Sequence, residues 1–175
     1  MKKISYSFLF FLFFLAQVQA AEISPAISQN LAPSYLIGDS DLNFYGLKVY
    51  HIALWSVEKK FSYDKKFAVQ IRYNMNFSKE KLAQRSINEI ERIHVLSSQE
   101  KEDYLIALKK IFSSVKKGDE KVALFIPNQG VEMFYNGKLS GKISDQKLAR
   151  LFVDIWLDER GSYPKVTQKI LGKDK

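Results

Sequence analysis

The stretch "GLKVYHIALWS", residues 46–56, is the one on which the reading of this chain turns. A half-buried strand alternates apolar and polar side chains with period two. Here Leu47, Val49, Ala53 and Trp55 share one face with His51, while Tyr50, Ile52 and Leu54 share the other behind Lys48. Both faces are apolar, with Tyr, His and Trp set among them. Simple alternation does not explain such a strand.

Working outward, residues 34–37 and 41–45 read as short strands before it, and the charged run "EKKFSYDKK" at 58–66 as a loop after it. "FAVQIRYNM", 67–75, starts with clean alternation: Phe67, Val69, Ile71 and Tyr73 against Gln70, Arg72 and Asn74. Ser78 is placed to cap a helix that carries Leu82, Ser86, Ile90 and Ile93. Ser97 and Glu100 have capping-box spacing ahead of a second helix. Its stripe of Leu105, Leu108, Ile111, Phe112 and Val115 predicts a helix running to Gly118. Strands follow at 121–127 and 131–136. Asn136-Gly137 then predicts a type I′ hairpin into "KLSGKIS". Ser144 and Asp145 can open a helix with an inner face of Leu148, Leu151, Phe152, Ile155 and Trp156, and Pro164 starts a last helix closed by Gly172. This order predicts an α+β domain: a mostly antiparallel sheet with helices packed on one face.

The N-terminus reads differently. Lys2 and Lys3, an apolar run from Ile4 to Leu15, and small residues at Val18-Gln19-Ala20 form a signal-peptide pattern over residues 1–20. That run is too short to span ~30 Å of hydrocarbon. The expected mature protein is exported, to the periplasm or the medium, with no stable membrane span. Residues 21–33, with Pro25 and Pro33, read as a flexible lead-in. Together with the first short strand they take the chain to residue 40. The folded domain is expected over 41–172.

The chain has no cysteine and two histidines, so it folds without disulfides and offers no zinc set. Cleavage would remove Lys2 and Lys3 from a formal net charge of +8. The remaining lysines are scattered in pairs among Glu and Asp. They read as a solvated surface and not as a nucleic-acid face. There is no GxSxG, P-loop or GxGxxG, and nothing calls for a cofactor or a metal. His51, among apolar neighbours, reads as a hydrogen-bonded core histidine. Arg85, Glu89 and Arg92 fall at i, i+4 and i+7 on one helix face. They read as an ion-pair ladder, or as an arginine aimed at a ligand carboxylate. Asp119 reads as a turn residue that bonds its own backbone. Tyr50, Tyr73, Phe125, Phe134, Tyr135 and Trp156 are either core or the walls of a slot between sheet and helices.

Four stretches, "GLKVYHIALW" (46–55), "FAVQIRYNMNFSKEKLAQRSINEIERI" (67–93), "VKKGDEKVALFIPNQGVEMFYNGKLSGKI" (115–143) and "LFVDIWLDER" (151–160), resemble the bacterial chalcone isomerase-like family. The resemblance spans roughly residues 42–172. It implies the chalcone isomerase fold, a large antiparallel sheet backed by helices in an open-faced β-sandwich. It also implies that 47–56 is a central strand, with helices on one face and a ligand cleft or small strands on the other. The plant enzymes of the fold use an arginine near the start of the sheet, a threonine on this strand and a late hydroxyl. Here "SDLNFYG" has no arginine, Tyr50 stands for the threonine and Ile155 for the hydroxyl. Non-enzymatic relatives hold a fatty acid through an arginine and a tyrosine. The ligand-binding residues that follow from this are Tyr50, Arg72, Tyr73, Arg85 and Tyr135, with Arg72 or Arg85 supplying the charge.

Three functions compete. The first is an exported, non-catalytic binder of a small apolar ligand such as a fatty acid. The second is an isomerase or lyase of chalcone isomerase type with an altered site, in which Tyr50 or Tyr73 donates a proton. The third is an envelope protein whose cleft is collapsed and whose apolar surface meets a partner.

Overall fold

The computed structural model describes residues 21–173. The expected signal peptide lies outside them. In chain order the elements are α1 (Pro25–Asn30), β1 (Tyr35–Phe44), β2 (Leu47–Ser56), β3 (Phe67–Tyr73), α2 (Lys79–Ile93), α3 (Ser98–Ile111), β4 (Glu120–Ile126), β5 (Gly130–Tyr135), β6 (Lys138–Ile143), α4 (Gln146–Leu157) and α5 (Pro164–Ile170). The six strands form one antiparallel sheet in the order β1-β2-β3-β4-β5-β6. The fold is α+β, a large antiparallel sheet backed by helices.

Side-chain parity divides the molecule into two cores. Ile52 and Leu54 of β2, Phe67, Val69, Ile71 and Tyr73 of β3, and Ala123 and Phe125 of β4 pack against α2–α5. The alternate residues Ala53, Trp55, Ala68, Val122, Leu124, Ile126 and Phe134 form a second core on the opposite face. That second core is closed by Ala26, Ile27 and Leu31 of the α1 segment. Ile27 and Leu31 are 0% exposed, and each such burial contributes ~1.5–3 kcal/mol.

This corrects the reading of 21–33 as a flexible lead-in, and of helices confined to one face. Ser24 caps α1 through its side chain, Pro25 fits the first helical turn, and the Ile27/Leu31 pair is spaced to meet the sheet. The polar composition around that pair masked it. Trp55 explains the rest of the opening stretch. Its indole N–H donates to Gln70 Oε1 at 2.7 Å, and the Gln70 amide in turn donates to the carbonyl of Glu22 at 2.9 Å and to the Glu120 carboxylate at 2.7 Å. Double-sided burial of β2 is therefore real over Ile52–Ser56. Its cover is the main helical layer on one side and the N-terminal segment on the other.

Three boundaries also differ. The two short strands expected at 34–37 and 41–45 are one strand, β1, with irregularities between Leu36 and Gly38 and between Leu42 and Asn43. Gly38 is required there. A Cβ would lie 2.2 Å from the Lys169 carbonyl oxygen, where the end of α5 crosses β1. Helix α3 stops at Ile111, well before Gly118. Val115 leaves the helix to exchange backbone bonds with Phe77, at 3.0 and 2.8 Å. The strand expected at 67–75 ends at Tyr73.

The Asn136-Gly137 hairpin has positive φ at both residues, 47° and 79°, as its sequence requires. The Ser97/Glu100 capping box is complete, and Asp145 caps α4. No helix among the described residues is long and apolar enough to cross a membrane.

Candidate functional site

A cavity of about 430 Å³ lies between the helical face of the sheet and α2, α4 and α5, within the ~300–1,000 Å³ usual for small-molecule sites. Its sheet wall is Tyr50 from β2, Val69, Ile71 and Tyr73 from β3, Lys121 and Ala123 from β4, and Met133 from β5. Small side chains in the middle of the sheet, Ala123 beside Val69, leave the space that the helices do not fill. Across from them stand Phe112, Phe152, Ile155 and Trp156. The Phe152 and Trp156 rings meet edge to face at 5.3 Å. Leu42 and Phe44 of β1 and Met75 and Phe77 after β3 complete the apolar lining.

Two polar clusters interrupt this surface. The first belongs to α2 and the segment before α5. Arg85 pairs with Glu89 at 2.6 Å and donates to the Tyr163 hydroxyl at 3.4 Å. Glu89 is buried and also accepts from the backbone N–H and hydroxyl of Ser162, at 3.3 and 2.9 Å. Nearby, the Trp156 indole N–H donates to the Tyr50 hydroxyl at 3.3 Å. The second is centred on Lys121 and the Ser113 carbonyl. Lys121 is 6% exposed. Its ammonium donates to the Ser113 carbonyl at 2.9 Å and lies 4.6 Å from the centre of the Phe112 ring. Burial lowers its pKa to about 8, against a smaller upward pull from Asp119. Burial pushes the hydroxyls of Tyr50 and Tyr73 above their usual range, so both stay protonated at neutral pH.

Of the residues expected at a site, Tyr50, Tyr73 and Arg85 are brought together on the cavity wall. Arg72 is not. It projects from the opposite face of β3 and pairs with Glu120 at 3.2 Å, with Glu22 at 3.9 Å. Tyr135 lies outside the lining. Its hydroxyl donates to Asp119 at 2.7 Å, and its ring stands 6.0 Å from the Lys121 ammonium. Asp119 also accepts from the backbone N–H of Lys116, at 2.7 Å, as a self-bonding turn does. His51 is not a core histidine. It is half-buried on the α1 side of the sheet, with Nδ1 2.7 Å from Asp41 and Nε2 3.3 Å from Asp39.

Lys121 lines the cavity and is not among the site residues expected from the sequence. The signal was present in "KVALFIP": Lys121 has the parity of Ala123 and Phe125, so its side chain enters the apolar layer. Among the described residues no cluster of His, Cys, Asp and Glu is arranged to hold a metal ion.

The profile of chalcone isomerase-like proteins matches residues 43–172, most of the chain. The chain belongs to the chalcone isomerase-like family. No curated protein matches it in sequence. In structure it is similar to a fatty-acid binding protein of Arabidopsis thaliana, with a TM-score of 0.62 at 10% identity over 79% of this chain and 87% of that one. At that identity the likeness establishes the shared fold. In this chalcone isomerase-like chain Tyr50 and Ile155 both line the cavity. The segment "SDLNFYG" contributes Leu42 and Phe44 to its lining, and no arginine.

Proposed function

We propose that this protein is an exported, non-catalytic binder that takes a small apolar ligand, such as a fatty acid, into the cavity between sheet and helices. The observation that carries this reading is the cavity itself. It is open, lined mostly by rings and aliphatic chains, and supplied with a few polar groups at fixed points. A collapsed cleft would have favoured the reading as a partner-binding envelope protein; the cavity supports the binder. The altered-site isomerase needs a guanidinium to stabilise a developing anion. Arg72 stands on the other face of the sheet and Arg85 is engaged by Glu89.

Delipidated protein titrated with saturated fatty acids of twelve to eighteen carbons by calorimetry is expected to give saturable heat with at least one chain length. Ala123→Phe, which places a ring in the space above Val69, is expected to weaken that binding at least tenfold, a loss of about 1.4 kcal/mol. Absence of heat and of any thermal shift across the series would reject the reading. Export rests on the signal-like N-terminus. Protein made with that segment in a bacterial host is expected to yield a periplasmic or extracellular species whose intact mass begins at Ala21. An uncleaved, cell-retained species would count against export.

A further inference from the structure

We infer that Lys121, and neither Arg85 nor Arg72, holds the acidic head of the ligand, with the Tyr73 hydroxyl as the second donor. This rests on the reading of the cavity as a binding site for an apolar acid.

A lysine this deeply buried is rare unless it is paired. An ammonium has three N–H donors. Among the described residues one is used, on the Ser113 carbonyl, and the Phe112 ring supplies a weaker cation–π contact. No described carboxylate forms an ion pair with it. Asp119, whose charge reaches it, is occupied by Lys116 N–H, Asn136 and Tyr135. The charge is therefore desolvated, faces an apolar cavity and lacks an anion.

Tyr73 supplies the second, independent observation. Ile71 is the register partner of Lys121 across β3 and β4. Tyr73 lies two residues farther along the same face, so the two side chains are diagonal neighbours, ~7–8 Å apart at Cα. The Tyr73 ring is buried, and its hydroxyl has no hydrogen-bond partner among the described residues. Ser113 Oγ, on the residue whose carbonyl receives the lysine, is also buried without a partner among them. An ammonium and a phenol, both with spare donors and both on the sheet wall of the cavity, are the two groups a ligand carboxylate would find there. The cation on the opposite side does not compete. Arg85 is neutralised by Glu89 at 2.6 Å, and Lys81 is exposed and solvated at the α2 end.

The test compares dodecanoic acid with 1-dodecanol, which share a tail and differ in head, by displacement of a fluorescent probe. Wild-type protein is expected to prefer the acid about tenfold or more, as a charged hydrogen bond allows. Lys121→Met is expected to bind the alcohol as the wild type does and to lose the preference for the acid. Retained alcohol binding shows that the variant is folded with its cavity intact. Tyr73→Phe is expected to reduce the preference by a smaller factor, and Arg85→Gln to leave it in place. An unchanged preference in Lys121→Met, its loss in Arg85→Gln, or equal binding of acid and alcohol by the wild type overturns the assignment while leaving the cavity reading intact. Binding of neither compound by the wild type rejects both.

Discussion

Asp154→Ala is expected to lower the stability of the protein by about 3 kcal/mol, the scale of removing one partner from a buried charge cluster. Asp154 is 3% exposed on the inner side of α4. Its carboxylate accepts from the Tyr63 hydroxyl at 2.7 Å and from Arg150 Nε at 3.0 Å, and it pairs with His94 Nε2 at 3.2 Å. Those partners come from the β2–β3 loop, from α4 itself and from the end of α2. One carboxylate therefore ties three segments together. The Arg150 guanidinium also stacks on the Tyr63 ring at 3.4 Å, which fixes the geometry of the cluster. Deleting the carboxylate leaves a partly buried phenol without its acceptor, the Arg150 guanidinium without its anion and the His94 imidazole without its partner. Arg150 is half-exposed and can rehydrate, which keeps the loss below the upper limit for such sites. In a chain of this size the melting temperature should fall by about 6–12 °C. Asp154→Asn retains an acceptor for Tyr63 and should lose less. A melting temperature for the alanine variant within 2 °C of wild type, read by circular dichroism, would show that the cluster contributes little.

The second large effect has the opposite sign. Lys121→Met is expected to stabilise the unliganded protein by about 2–3 kcal/mol at pH 7. Folding lowers the pKa of this lysine from 10.5 to about 8, and that difference corresponds to about 3 kcal/mol disfavouring the folded, charged form. The lost bond to the Ser113 carbonyl takes back part of the gain, about 1 kcal/mol. The pH dependence follows from the protons held by each state. Below pH 8 the lysine is charged in both states and its full cost is present. Between pH 8 and 10.5 the unfolded chain holds a proton that the folded chain has released, so this group makes stability rise with pH. The advantage of the methionine variant should therefore be largest at pH 7 and shrink above pH 8. Paired denaturant titrations at pH 7 and pH 9.5 measure it. A variant less stable than wild type at pH 7 contradicts the picture of an uncompensated buried ammonium. A residue that weakens the empty fold and serves a ligand is the usual form of a trade-off between stability and function.

The α+β class and most elements were legible in the sequence because their causes are local, and the resemblance of four blocks carried the family. Alternation put Phe67, Val69, Ile71 and Tyr73 on one face of β3, Ser78, Ser97 and the Ser144-Asp145 pair each announced a helix with a side-chain oxygen, and Asn136-Gly137 specified its turn. The aromatic slot with Tyr50 and Tyr73 on its wall was also within reach, since residue type and parity suffice for it. What failed depended on partners distant in the chain. Nothing local marks Ile27 and Leu31 as the cover of a sheet face that begins twenty residues later. Helix α3 ends where Val115 finds Phe77, a contact that helical periodicity does not register. Arg72 and Arg85 were equal candidates on paper. Strand parity together with Glu120 removed the first from the cavity, and Glu89 neutralised the second. Lys121 looked like one more surface lysine at the start of a strand. Only the packing of Phe112, the Ser113 carbonyl and Tyr135 around that position enclosed it. A side chain's charge is written in the sequence, but its solvation is set by which atoms the fold brings against it.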